Sequence, residues 1–145
     1  MRIETAKLEH LQRLAAIERQ CFSDPWPEQI IVRMLDQFTV CIDGDALAGY
    51  IVLSSVLDEG SIDNVAVAPE FRRQGVADLL LSDAESRGRA MRLASLTLEV
   101  RAGNEPAIRL YEKHGFAKVG RRKSYYEKPR EDAILMTLLL SDTAR

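Results

Sequence analysis

The sequence predicts a mixed α/β sheet. Between residues 38 and 67, β-rich runs follow one another as a meander, and strand and helix patterns then alternate to the end of the chain. The length of 145 residues suits one domain, 1–145, which would bury roughly two thirds of the surface of its unfolded chain. We therefore expect a single-domain fold in which helices flank one sheet.

The first half of the chain begins with two helix patterns. Leu11, Leu14 and Ile17 recur near helical spacing and define a first helix, which ends before the proline-interrupted segment Phe22–Pro27. A second helix begins at the end of that segment, because proline suits a first helical turn. Strand patterns follow at 38–42, 47–57 and 61–67, and an Asp-Gly turn joins the first two of them.

The second half alternates between helix and strand patterns. Apolar residues three to four positions apart predict a helix from the Gly75 junction to about Gly88. Asn104 is placed to cap a further helix that ends at Gly115. The remaining strand patterns lie at 96–100, 116–119 and 133–140.

Composition excludes some classes of function. A formal net charge of -2 gives no global basic field for nucleic acid, and no apolar run approaches the ~18 residues of a membrane span. Cys21 and Cys41 have no metal-ligand spacing. His10 and His114 lie far apart in the sequence, and we interpret each of them as a surface residue of a helix. We expect a cytoplasmic protein with no metal, no membrane association and no direct nucleic-acid partner; its oligomeric state is unknown.

The most informative segment is the junction Arg72–Ala77, which joins an apolar strand to an amphipathic helix. The first turn of a helix leaves about four N–H groups unpaired and carries roughly half a positive charge, so anions bind there. Gly75 permits unusual dihedrals and close approach of a ligand. The spacing Arg-x-x-Gly-x-Ala differs from both the triphosphate loop and the dinucleotide fingerprint. It favours a diphosphate site; the alternative is an ordinary turn with two solvated arginines.

Two segments resemble the GNAT superfamily of N-acetyltransferases. Asn64–Ala77 resembles its coenzyme A motif, and Leu98–Phe116 contains the run Asn-x-x-Ala-x-x-Leu-Tyr-x-x-x-Gly-Phe of the other half of the core. The resemblance implies the GNAT fold, a central, mostly antiparallel sheet of about seven strands flanked by about four helices, with acetyl-CoA as cosubstrate. Ala77 and Gly103 depart from the usual Gly and Ser, but neither change removes a needed side chain.

The same resemblance implies the residues that would bind the cofactor. The strand ending at Val67 and the strand carrying Glu99 are expected to splay apart, so that the pantetheine amides pair with them like an added strand. Loop amides would hold the diphosphate, and Asn104 would bind the pantetheine arm unless it is only a helix cap. The implied set is Val65, Ala66, Val67, Arg73, Gln74, Gly75, Val76, Ala77, Asp78 and Asn104.

Two residues are candidates for acid–base catalysis. Glu99 lies in an otherwise apolar strand, where burial would raise the pKa of its carboxyl group and suit it to act as the base. The alternative is a solvent-facing position on a half-exposed strand. By the resemblance, Tyr111 would protonate the departing thiolate; the alternative is an aromatic residue that only packs.

Four further segments resemble one branch, the RimI-type ribosomal-protein alanine N-acetyltransferases. They are Phe22-x-x-Pro-Trp26, Leu98–Arg101, Tyr125-Tyr126 and Arg130–Ala133. This resemblance implies direct attack, in a ternary complex, by the N-terminal alanine of a small-subunit ribosomal protein, with Glu99 as proton acceptor and Tyr111 as proton donor. Acetylation of lysine side chains or small-molecule amines is the alternative, and a non-catalytic acyl-CoA sensor is a third interpretation. We expect Arg121–Lys123 to form a solvated turn.

Overall fold

The computed structural model describes residues 1–140. Within this range seven strands form: β1 (Arg2–Thr5), β2 (Phe38–Asp43), β3 (Ala46–Val56), β4 (Glu59–Val67), β5 (Ser95–Arg101), β6 (Ala117–Glu127) and β7 (Arg130–Leu139). The four α-helices are α1 (Leu11–Cys21), α2 (Glu28–Arg33), α3 (Val76–Ala90) and α4 (Glu105–Lys113). No helix in this range is both long enough and apolar enough to cross a membrane.

The strands form one seven-stranded sheet in the order β1-β2-β3-β4-β5-β7-β6. β4 and β5 pair in parallel, whereas β1 with β2, β2 with β3, β5 with β7, and β6 with β7 pair antiparallel. The predicted mixed and mostly antiparallel sheet with about seven strands and about four helices is therefore confirmed.

The first of two compact units comprises Met1–Leu53 and Asn64–Ala84. The apolar side of α1 is buried in it, as its spacing predicts, with Leu14 fully inaccessible to solvent. β3 runs close to β4, because a Cβ on Gly49 would lie 2.6 Å from the carbonyl oxygen of Ala66 and 3.0 Å from Cγ1 of Val76. Only glycine permits that approach without a shift of the backbone.

The second unit comprises Ser54–Asp63 and the chain from Glu85 onward. β5 alternates strictly, with Leu96, Leu98 and Val100 buried on one face. Asn104 caps α4 as predicted, because its Oδ1 accepts a hydrogen bond from the amide of Ala107 at 3.3 Å. The assignment of the whole chain 1–145 to one domain stays a prediction.

Four structural expectations were incomplete or wrong. β1 has no counterpart in the sequence prediction, and β6 extends to Glu127 rather than ending near residue 119. Arg121–Lys123 therefore lie within a strand and not in a turn, because pairing with β7 orders a segment whose own side chains are almost all exposed. His10 is buried rather than on the surface, and its Nδ1 accepts a hydrogen bond from the amide of Lys7 at 2.9 Å.

Candidate active site

The junction between β4 and α3 has the backbone of an anion-binding loop. β4 ends at Val67 and α3 begins at Val76, directly after Gly75, whose φ is +79°. A Cβ at Gly75 would meet no protein atom within 4 Å, so the space next to its backbone is open. Amides at the positive end of the fifteen-residue helix α3 adjoin this space. The geometry suits a ligand with negative charge.

Arg73 in the same loop also has a left-handed backbone, with φ of +64°. Residues other than glycine rarely adopt this conformation, and such strain is typical of ligand-binding loops. Sequence analysis could not predict this conformation, because arginine has no preference for positive φ. Two left-handed residues so close together turn the chain sharply before the helix begins.

One edge of β5 is open along part of its length. The parallel ladder pairs Glu59–Ser61 with Ser95–Thr97, but β5 continues to Arg101. On its other edge β5 pairs with β7 along its whole length. Among the described residues, the backbone groups of β5 that follow Thr97 have no ladder partner on this edge, and an extended ligand that carries amides could pair with them.

The expectation that Glu99 is buried among apolar side chains is wrong. Glu99 lies on the half-exposed face of β5, and its side chain is 30% exposed, because side chains alternate along a strand and the apolar neighbours point to the other face. Nε of Arg122 forms an ion pair with Oε2 at 2.8 Å. Oε2 is shielded from solvent and, apart from this ion pair, has no hydrogen-bond partner in residues 1–140. A carboxylate oxygen has two lone-pair sites, so Oε2 could still accept a proton beside the contact with Arg122.

Two tyrosines of β6 adjoin Glu99. Burial, and then the charge of Glu99, raise the pKa of Tyr125, which also hydrogen-bonds to Glu99. The same two causes raise the pKa of Tyr126 to about 12. The two rings contact each other edge to face, with 5.1 Å between their centroids. Both phenols are neutral at pH 7, so they can donate hydrogen bonds toward the carboxylate.

Tyr111 lies on α4, and its side chain is almost completely buried. Burial, and then the nearby Tyr126, raise its pKa to about 12. Its ring packs edge to face against Phe116, with centroids 6.1 Å apart. Tyr111 therefore holds its proton at neutral pH, and Tyr126 lies close enough to both Tyr111 and Glu99 for its pKa or theirs to be affected.

Arg101 was not singled out from the sequence, but it organises this region. Its guanidinium donates hydrogen bonds to the carbonyl of Pro129 at 2.9 Å and to that of Lys128 at 3.1 Å, and forms an ion pair with Glu131 at 3.2 Å. It also lies 4.3 Å from the ring centroid of Tyr126. The turn between β6 and β7 is thereby tied to the end of β5.

A buried carboxylate in the first unit was also missed. Glu18 on α1 is 1% exposed, and Oε1 accepts hydrogen bonds from the hydroxyl of Tyr50 and from Nδ2 of Asn64, the latter at 3.0 Å. Its Oε2 accepts the amide of Trp26 at 2.9 Å. The sequence carries a signal for this, because Glu18 lies four residues after the buried Leu14 and so shares its helix face. Glu18 fixes the loop after α1.

Trp26 is half-buried and lines a surface cavity of about 550 Å³ together with Pro25, Pro27 and Val32. Its ring packs edge to face on Phe38, with centroids 6.2 Å apart. Trp26 therefore lies at the edge of this cavity and packs on the core residue Phe38. A contact between Trp26 and substrate stays a prediction.

The model of the acetyltransferase (GNAT) family matches residues 11–116. The chain belongs to this family. It is 38% identical to the [ribosomal protein bS18]-alanine N-acetyltransferase of Escherichia coli strain K12 over 86% of this chain and 88% of that protein. It is 32% identical to the protein of the same name from Haemophilus ducreyi, over 95% of this chain and 99% of that one.

A crystal structure supports the same family at the level of the fold. The ribosomal-protein-S18-alanine N-acetyltransferase of Escherichia coli superposes with a TM-score of 0.89 and 32% identity, over 97% of this chain and 94% of that chain. The chain is therefore an acetyltransferase of the GNAT family. Both the fold and the family that its motifs predicted are confirmed.

Proposed function

We propose that this acetyltransferase moves the acetyl group of acetyl-CoA to the α-amine of the N-terminal alanine of a small-subunit ribosomal protein. The relatives named above, which are similar over most of both chains, support this acceptor. The observation that carries the chemistry is Oε2 of Glu99, a carboxylate oxygen that is shielded from solvent, ion-paired to Arg122 and close to neutral phenols.

The cofactor is proposed to bind through backbone groups. The amides from Arg73 to Asp78 would hold the diphosphate at the positive end of α3, where Gly75 leaves space for it. Val65, Ala66 and Val67 of β4 would pair with the pantetheine amides. Asn104 would add a side-chain contact, although its Oδ1 already caps α4.

Only a neutral amine attacks a thioester. The pKa of the acceptor amine therefore decides how much of the free-energy cost of its deprotonation a base must offset. An α-amine with a pKa near 7.7 to 8 costs about 1 kcal/mol to deprotonate at pH 7, whereas a lysine near 10.4 costs roughly 4.6 kcal/mol. Glu99 is half-exposed and ion-paired to Arg122. An α-amine therefore asks less of this base than a lysine side chain does, which supports the α-amine as the proposed acceptor.

The reaction proceeds by direct attack, with no covalent intermediate on the protein. The amine nitrogen bonds to the acetyl carbon and loses a proton to Glu99, directly or through water, and the carbon–sulfur bond breaks. Tyr111 donates a hydrogen bond and then its proton to the departing sulfur, and solvent returns the proton from Glu99 to Tyr111.

Two peptides test this proposal. One has a free N-terminal alanine and no lysine; the other has a blocked N-terminus and a single lysine. We expect acetylation of the first with kcat/KM at least about 100-fold higher, because the gap in deprotonation cost exceeds 3 kcal/mol. Preference for the lysine peptide would favour the alternative acceptor class, and cofactor binding without turnover on either would favour a sensor.

A further inference from the structure

Arg122 faces the proposed base, yet neither the motifs nor the proposed reaction assigns it a role. It is the residue of β6 that pairs with Ala133 of β7, and β7 in turn pairs with β5, which carries Glu99. Its Nε lies 2.8 Å from Oε2 of Glu99 although 57% of its side chain is exposed. Water could solvate a guanidinium that is this exposed, so the need for solvation does not explain why Arg122 contacts Glu99.

The guanidinium is held over this carboxylate by a second contact. Its central carbon lies 5.7 Å from the ring centroid of Tyr125, which itself hydrogen-bonds to Glu99. The register of β6 is irregular between Arg122 and Tyr126, and Ser124 within it has φ of +51°. This irregularity breaks the alternation that would place Arg122 and Tyr125 on opposite faces.

We propose that Arg122 is a positioning residue that holds Glu99 and disfavours a protonated amine beside it. This inference rests on the proposed function, in which Glu99 receives the proton of the acceptor. A protonated α-amine has the same charge as the guanidinium and would have to displace it, whereas a neutral amine would not. Two like charges next to one carboxylate repel each other, so the bound acceptor is shifted toward its reactive neutral form.

Other groups near Glu99 do not supply this charge. Tyr125 and Tyr126 on β6 and Tyr111 on α4 are neutral at pH 7. On β5, Arg101 forms an ion pair with Glu131 of β7, so its charge is largely matched. Among the residues with a described contact to Glu99, Arg122 carries the positive charge.

The test is the pH dependence of kcat with the alanine peptide, for wild type, Arg122→Gln and Arg122→Lys. For Arg122→Gln we expect the midpoint of the rise in kcat to shift upward by about one pH unit, so that kcat below the midpoint falls about tenfold. The KM for the peptide should fall or stay unchanged, because a competing cation has been removed. Arg122→Lys should lie between the two, since the charge remains without the planar group.

Lys123→Gln is the matched control, because it removes one positive charge from the next residue of β6, whose side chain is exposed. Its pH profile should superimpose on that of wild type. A profile of Arg122→Gln that matches wild type would overturn the inference, and so would an equal loss of kcat at every pH, which a purely structural role produces. An inactive wild-type protein would instead overturn the proposed function and this inference with it.

Discussion

At the scale of single residues, the environment of Tyr111 is compatible with the proposed role as the proton donor. Its ring contacts Phe116 like a core aromatic, yet its hydroxyl lies close enough to Tyr126 for that phenol to raise its pKa. Since the pKa is about 12, the group stays protonated throughout the neutral and mildly alkaline range. No loss of activity below about pH 10 should therefore arise from its ionisation.

Tyr111→Phe should lower kcat about 100-fold, within the range for loss of a positioned acid. The affinity for acetyl-CoA, measured by calorimetry, should change less than about twofold, because the ring and its packing are kept. A kcat within about threefold of wild type would mean that Tyr111 only packs.

Sequence reasoning proposed Glu99 and Tyr111 as the catalytic pair but did not predict their surroundings. The period of two along β5 could have shown that Glu99 shares a face with Thr97 and Arg101 and not with Leu98. The contact with Arg122 could not be read in this way. It depends on the pairing of β6 with β7, of β7 with β5, and on an irregular register, which are all non-local.

At the scale of elements, the β4–α3 junction is the part most fully predicted from the sequence. Gly75 was expected to adopt an unusual backbone and does so, and the helix begins directly after it. The local signals agree here, since a strand, a glycine and an amphipathic pattern occur within a dozen residues. β6 lacks such signals, because an exposed, charged strand resembles a loop until its partner is known.

Gly75→Ala should weaken binding of coenzyme A about tenfold or more, because the new Cβ would occupy the open space that the cofactor is proposed to use. Calorimetric titration measures this. The strain of a left-handed alanine should also lower the free energy of unfolding by about 1 kcal/mol.

Gly44→Ala is the matched control for this prediction. Gly44 has φ of +63° in the turn between β2 and β3, and a Cβ there also meets nothing within 4 Å. The cost in stability should be similar, and the affinity for coenzyme A should be unchanged. Equal losses of affinity in both variants would show that strain, not occlusion, is responsible.

At the scale of the whole molecule, the chain divides its proposed tasks between its two compact units. The first contains the β4–α3 junction, and the buried Glu18 holds the loop of Trp26 there. The second contains Glu99, Tyr111 and the strands that surround them. The family could be recognised from the sequence because each task has its own local motif, whereas the acceptor depends on surfaces that no local motif encodes.

The most direct test of the central claim is to map acetylation on natural acceptors. The purified protein would be incubated with acetyl-CoA carrying an isotope-labelled acetyl group and small-subunit ribosomal proteins from cells that lack it, and the products analysed by mass spectrometry. We predict label on the α-amine of an N-terminal alanine, and none with Glu99→Gln on the same timescale. Label confined to lysine side chains would contradict the claim.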